Sequence, residues 1–435
     1  MTPPPELVVL LDREVVGHLA PLRDAYRYRF RYTSEWLRAP HAYPVSLALP
    51  LASPEYDGLP VRHWLRGLLP DNEARLAEIE AEFGVSRDDP YAVLAHVGED
   101  CAGAVQFAAP GRAEEIVSGS APPGVEWLDE ASLETLLREV AARSSPDRRV
   151  IHTGQFSLPG ALGKVALACD DVAGRWGRPS GQRASTHILK PPIPGLAGHN
   201  ENEHFCLRLA RAAGLEAADS RVMRFGAQSA IAVTRYDRQA GAGGDVRRLH
   251  QEDMAQALGL DPALKYAAEG GAGIPDVVRL LRDYAQPDDV SRFVLAVGFA
   301  WATAGTDAHL RNFSVLIHAG PSARLAPLYD LATALGLGGR RSALQDFRMA
   351  MAIGGHTALG QIGRDAWLRE VKRSRLPRHS LEEVAALADR VAGVAPDVAE
   401  RLITNEGLDA RYLRRLARDV AARAHGCAAE LGRAA

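Results

Sequence analysis

The stretch that most constrains this chain is TAGTDAHLRNFSVLIHAGPSARLAPLYDL, residues 303 to 331. An acid, Asp307, is followed five positions on by Asn312, and a second acid, Asp330, lies beyond a short apolar run. Asn312 to Ile317 predicts a strand, AGPSA a turn, and Arg324 to Tyr329 the returning strand. A hairpin there brings Asn312 and Asp330 together at the open end of a sheet. Two hard oxygen ligands so placed suit Mg²⁺ held against a nucleotide's phosphates, because Mg²⁺ takes few protein oxygens and completes its shell with phosphate and water. Asp307 then remains to receive a proton from an attacking hydroxyl.

That order of parts is the one a protein-kinase catalytic centre uses: an acid, an Asn five residues later, and a metal-binding Asp past a hairpin. A turn-rich loop whose Asp and Asn cap local backbone has the same spacing. The remainder of the chain has to separate the two readings.

At 435 residues the chain predicts two or three domains. With 47% hydrophobic and 24% charged residues it has ordinary globular composition, and a net charge of −3 gives no push toward nucleic acid or membrane. Cys101, Cys169, Cys206 and Cys427 are scattered without C-x-x-C or zinc spacing. The start, MTPPPELVVLLD, is not built as a signal peptide, and no run reaches the ~20 apolar residues of a membrane span. A reducing cytoplasm is the expected location.

Residues 6 to 50 predict β structure, opening with a hairpin across Asp12 and Arg13. Tyr26, Tyr28, Phe30 and Tyr32 alternate with Arg27, Arg29 and Arg31. Such a strand packs its rings on a core and solvates its arginines, in preference to stacking single-stranded nucleic acid. Helices are expected over 71–83, stopped by Gly84, from Asp89-Pro90 to Gly98, and through Leu133 to Val140. PGRAEEIVSGSAPPGV, residues 110 to 125, reads as a connector.

Gly154, Gly160 and Gly163 then lie in a loop running into the apolar strand Val165–Ala168. Glycines there let backbone N–H groups approach phosphates, although the pattern is not a Walker A loop. Ser185 to Lys190 predicts a short strand ending in a lysine, and Asn202-Glu203 opens a helix whose glutamate is a candidate partner for Lys190. AIAVTRY, residues 230 to 236, reads as a buried strand. His250 to Gln256 is expected to start a further helix, Pro275 another, and Phe293 to Ala302 a buried one. Ser380-Leu381-Glu382-Glu383 reads as a capping box, and 408 to 425 as a basic amphipathic helix.

Taken in order, VSLALPL, LLPDNEARL, VGEDCAGAVQF, SLPGALGKVAL, THILKPP, NEHFCLRLARAAGL, VTRYDR, LHQEDMAQALGL, KYAAEGGAGI, GTDAHLRNFSVL and APLYDLATA run along most of the chain. These strings resemble the HipA family, the kinase toxins of HipA–HipB toxin–antitoxin modules. The resemblance implies an α/β, variant two-lobed protein-kinase-like fold with an N-terminal β-rich subdomain and a largely helical C-terminal lobe. It divides the chain into an N-terminal subdomain (1–145), a small lobe (146–240) and a helical large lobe (241–435). It further implies ATP- and Mg²⁺-dependent phosphorylation of a protein Ser or Thr, with Asp307 as catalytic acid and Asn312 and Asp330 as metal ligands. The nucleotide-contacting set it implies is Ser157, Gly160, Gly163, Lys164, Lys190, Thr234, Tyr236, His309, Asn312 and Asp330, with Ser157 also the autophosphorylated serine. The implied partners are a HipB-like helix-turn-helix antitoxin and a protein substrate of the aminoacyl-tRNA synthetase class, with DNA reached only through the antitoxin. This sequence departs from the family at Leu162, where a glutamine is usual, and at Thr234, where a relative carries an acid. Two other readings stay open: a kinase-fold binding partner of an antitoxin with little phosphotransfer, and a kinase of small molecules.

Overall fold

Two consecutive residues with positive φ begin the fold. Strands β1 (Leu7–Leu11) and β2 (Glu14–Pro21) pair antiparallel, and between them Asp12 and Arg13 take φ of 46° and 77°. Both values belong to the tight hairpin turn whose twist matches that of the strands. β3 (Tyr28–Tyr32), β4 (Glu55–Asp57) and β5 (Val105–Ala108) complete a sheet in the order β4-β3-β2-β1-β5. Tyr28, Phe30 and Tyr32 are buried in its core with Leu7, Val9, Trp36 and Trp64, whereas Arg29 and Arg31 lie 3.2 and 2.8 Å from Glu55. From Tyr28 to Tyr32 the aromatic–arginine alternation is therefore one packed face and one solvated face, as expected, whereas Tyr26 lies before the strand and is exposed.

This computed structural model describes residues 6–23, 26–120, 124–142, 157–158, 163–180, 183–241, 245–266, 270–319, 322–336 and 347–432. The helix Pro90–Val97 has the cap the sequence predicts, Asp89 accepting from Ala92 N–H. The helix Glu73–Phe83 starts two residues later than expected, with Asn72 as a cap accepting from Arg75 N–H and Gly84 ending it in a left-handed conformation as expected. The expected connector at 110–125 is in part a helix, Pro110–Ser118. Pro110 suits a first helical turn, Gly119 a left-handed end, and Ala113 and Ile116 are buried beside Val8 and Leu10. Burial of that short apolar stripe outweighs the Gly, Pro and Ser composition.

A second sheet holds β6 (Gly124–Leu128), β7 (Val165–Asp170), β8 (Arg175–Ser180), β9 (His187–Lys190), β10 (Ser220–Phe225) and β11 (Gln228–Thr234), in the order β10-β11-β9-β7-β8-β6. β9 lies between β7 and β11, with Val165 opposite Leu189 and Ile231 opposite Lys190. The expected helix from His250 is instead a strand, Gln251–Asp253, and a single turn, Met254–Ala257. Asp253 and Gln256 cap that turn reciprocally, and Gly259 follows at φ of 70°.

Helices dominate the later chain: His199–Ala212, Ile274–Tyr284, Pro287–Thr303, Arg364–Arg373, Ser380–Glu406 and Ala410–Gly432. Ser380 is the first helical residue and is buried, while His379 occupies the cap position without a side-chain bond, so the expected capping box is not formed. Leu413, Leu416 and Val420 face inward on the last helix, with Arg411, Arg414, Arg415 and Arg418 exposed. The chain divides into two units built from interleaved segments, 1–194 with 224–262 and 315–322, and 195–223 with 263–314 and 323–435.

Candidate active site

The second unit contains the Asp307 region. The helix Pro287–Thr303 ends at Ala304, whose φ of 56° turns the backbone out of the helix, and Gly305 N–H returns to Ala300 O at 2.7 Å. The next residues form a tight knot around Asp307. Its carbonyl accepts from His309 N–H at 2.8 Å and from the Asn312 side-chain amide at 2.7 Å. With its NH₂ so used, the Asn312 carboxamide keeps Oδ1 as its acceptor for a cation. Asn312 closes a 3₁₀ turn (Leu310–Asn312), and the strand starts only at Ser314, two residues later than the sequence predicts. The returning strand is Ser322–Leu325 and ends before Tyr329.

Hydrogen bonds close the open end of that hairpin. Ala326 N–H donates to Ser314 O at 2.9 Å, and the Tyr329 hydroxyl lies 2.6 Å from Ser314 Oγ and 2.8 Å from Arg311 O. Asp330 follows at φ of 54°, a left-handed conformation that costs a non-glycine residue about 1–3 kcal/mol. Flanking contacts hold it there. Leu328 N–H donates to Glu216 O at 2.9 Å, and the Asn202 carboxamide makes both bonds with the Thr333 backbone, at 2.8 and 3.0 Å. Asp307, Asn312 and Asp330 line one pocket with Thr303, Phe313 and Cys206.

Asp307 is exposed, with about two thirds of its side chain in solvent, whereas His309 beside it is buried. The Tyr266 hydroxyl donates to Asp307 Oδ1 at 3.2 Å, and the Tyr266 ring stands edge-on to the His309 ring at 5.1 Å. Burial holds His309 below the ordinary imidazole value, against the upward pull of Asp307. Tyr266 lies within KYAAEGGAGI, but no spacing in the sequence marks it as a neighbour of Asp307.

The other expected residues belong to the first unit. Lys190 is buried at the end of β9, not solvated. Continuing the β7–β9 register by one residue sets Lys164 opposite Lys190, on the face that also carries Ile231. Gly163 is buried and Lys164 half-buried. Thr234, at the end of β11, is exposed, and the Tyr236 hydroxyl bonds Gln251. Ser157 is fully buried: its N–H donates to Asp100 O at 3.1 Å and its Oγ to Leu68 O at 2.8 Å. Gly154, Gly160 and Leu162 lie outside the described residues.

The donor set fits a hard divalent cation, which takes a few protein oxygens such as one carboxamide and one carboxylate and completes its shell with phosphate and water. Among the described residues no group of three or more His, Cys, Asp or Glu side chains is arranged to hold a metal by itself. No helix among them is long and apolar enough to cross a membrane.

The architecture is mixed α/β and kinase-like. A chain of the Shewanella oneidensis MR-1 toxin–antitoxin complex of HipA, HipB and operator DNA shares it with a TM-score of 0.83, at 22% identity over 98% of both chains. The HipA N-terminal domain model matches residues 7–108 and the HipA-like C-terminal domain model residues 156–403, and the chain belongs to the HipA family. It is 36% identical over 433 residues to the putative kinase Y4mE of Sinorhizobium fredii, across 96% of this chain and 97% of that protein. Similarity to the serine/threonine-protein kinase toxin HipA of Shewanella oneidensis is 26% over 334 residues, 73% of this chain and 72% of that one.

Proposed function

We propose that this chain is an ATP- and Mg²⁺-dependent serine/threonine-protein kinase and the toxin of a two-component module. The observation that carries the reading is the fixing of Asn312 by the Asp307 carbonyl together with the strained Asp330 in the same pocket. Strain of that kind persists where surrounding contacts over-determine the backbone, which is a property of functional sites. In this reading Asp307 orients the substrate hydroxyl and takes its proton. Tyr266 holds one carboxylate oxygen and leaves the other for that proton. Asn312 and Asp330 hold the cation. When bound, Mg²⁺ neutralises charge on the β- and γ-phosphate oxygens.

Lys164 and Lys190 are the phosphate-binding cations. In this reading Gly160 and Gly163 belong to the phosphate loop, Thr234 and Tyr236 contact the base, and His309 borders the nucleotide. The division at 145 and 240 into subdomain, small lobe and large lobe belongs to this proposal. So do the HipB-like helix-turn-helix antitoxin, contact with DNA only through that antitoxin, a target of the aminoacyl-tRNA synthetase class and a cytoplasmic location. The Shewanella complex of HipA with HipB and operator DNA supports the antitoxin partner by similarity, and the HipA toxin of that organism supports the toxin role.

Incubating purified protein with labelled ATP and a cell lysate tests the reading. Label on a small set of proteins, dependent on Mg²⁺, is the expected result. Label on small molecules alone turns the reading to the small-molecule kinase. No transfer, with antitoxin binding intact, leaves the binding partner.

Self-phosphorylation at Ser157 is part of the same proposal. A phosphate adds about −1.5 to −2 charges and cannot stay in a fully buried bond to Leu68 O, so the modified segment has to leave its place. Mass spectrometry should find phosphate at Ser157 in active protein and not in Asp307→Asn. An unmodified Ser157 in an enzyme active on other proteins contradicts the assignment.

A further inference from the structure

Three arginines and two aspartates are buried together in the first unit: Arg235, Arg238, Arg248, Asp100 and Asp237. Three guanidinium groups against two carboxylates leave one positive charge over. The hydrogen bonds identify which group carries it. Asp237 accepts from Arg235 Nε and Nη2 at 2.9 and 2.8 Å and from Gly103 N–H at 2.7 Å, with Arg238 Nη1 at 3.1 Å. Asp100 accepts from Ser185 Oγ at 2.5 Å and from Arg238 Nη2 at 3.0 Å. Arg235 and Arg238 place further donors on the Cys101 carbonyl, at 2.9 and 3.0 Å. Both carboxylates and both of those arginines are thereby engaged.

Arg248 is different. It is 2% exposed, and its Nε, Nη1 and Nη2 are all buried without a hydrogen-bond partner. The nearby acid Asp12 attracts Arg248 by its charge, but its oxygens accept from the Arg248 backbone N–H at 2.9 Å and lie 3.4 Å from the exposed Arg247 Nε, so they leave the Arg248 guanidinium donors unmet. His250 and Glu252 add no countercharge. Burial pushes His250 down to about 4 and Glu252 up to about 8, so both are neutral at pH 7. A strand register makes the imbalance sharper. In the pair Arg238–Ala240 and Val246–Arg248, Arg238 stands directly opposite Arg248, like charge against like charge.

A guanidinium keeps its proton at any ordinary pH and has only donors to offer. Buried and unanswered it is strongly unfavourable, because its charge and five N–H groups have lost water without replacement. Water would answer the donors but leave the charge. One monovalent anion answers both, and brings the cluster of three arginines and two aspartates to neutrality. We propose that Arg248 holds a small monovalent anion, chloride in ordinary solution, as a fixed part of the first unit. Its place is beside the Arg248 guanidinium, whose donors are the ones left without partners.

The test compares thermal unfolding of the full chain in sodium chloride and in sodium gluconate at equal ionic strength. The proposal predicts a saturable rise of about 1–2 °C in chloride, the size expected for a chain of this length with a ligand at about tenfold its dissociation constant. Arg248→Met should lose the chloride dependence whatever its own melting temperature. Crystals soaked in bromide should show an anomalous peak at hydrogen-bonding distance from the Arg248 guanidinium. Should Arg248→Met fail to fold, the wild-type melts and the bromide peak still decide. Equal melting in the two salts, a chloride effect that persists in the variant, or bromide density only elsewhere overturns the proposal.

Discussion

Asp330 shows how much structure a single ligand requires. Its left-handed backbone is held from both sides, by the Tyr329 hydroxyl on Arg311 O and by the Asn202–Thr333 amide bonds. Asp330→Asn keeps the shape and removes the charge, so nucleotide should stabilise the variant far less than wild type in Mg²⁺-dependent thermal shifts. Unchanged stabilisation would remove Asp330 from the metal site. Glu252 makes a prediction of a different kind. Its carboxyl accepts from Leu47 N–H at 2.7 Å, and burial raises it to about 8. The folded state therefore binds a proton that the unfolded chain releases near its ordinary value. Stability from this group is complete below about pH 4.5 and falls as pH rises toward 8, by at most ~1.4 kcal/mol per pH unit. Glu252→Gln retains an acceptor for Leu47 without the titration. Urea unfolding from pH 5 to 8 should show a shallower decline in the variant, and parallel curves would contradict the assignment.

Among the elements, those carrying local signals were legible in the sequence. The Asp12–Arg13 turn, the cap at Asp89, the stop at Gly84 and the buried helix through Phe293 each follow from neighbouring residues. The misread elements share one cause, tertiary burial overriding local chemistry. Ala113 and Ile116 make a helix of a Gly/Pro/Ser segment, and a buried Ser380 starts a helix that it was expected to cap. In the candidate site, the closeness of Asp307, Asn312 and Asp330 was legible because they flank one hairpin within a short stretch of chain. Tyr266 and Asn202 were not, since each reaches its partner from a distant part of the chain. The Asn202 contact predicts its own effect. Asn202→Ala leaves the Thr333 N–H and C=O buried without partners and should cost about 2–4 kcal/mol in urea unfolding. It should also weaken Mg·ATP binding by loosening Asp330. A loss of stability with full nucleotide affinity would show that the clamp does not reach the site.

For the whole molecule, interleaved segments make the two units, so a cut at one sequence position separates neither. Chain order alone does not reveal that arrangement, because 315–322 joins the first unit from within a stretch otherwise belonging to the second. Family membership and fold place the chain among HipA proteins, and the Asp307 chemistry is the claim on which the proposed activity rests. The most direct measurement is phosphotransfer from labelled ATP by wild type and Asp307→Asn, with ATP binding followed in parallel. The variant should bind ATP nearly as wild type does and transfer phosphate about 10²–10⁴-fold more slowly, as expected when a positioned acid–base group is lost. Transfer at close to the wild-type rate would contradict the account.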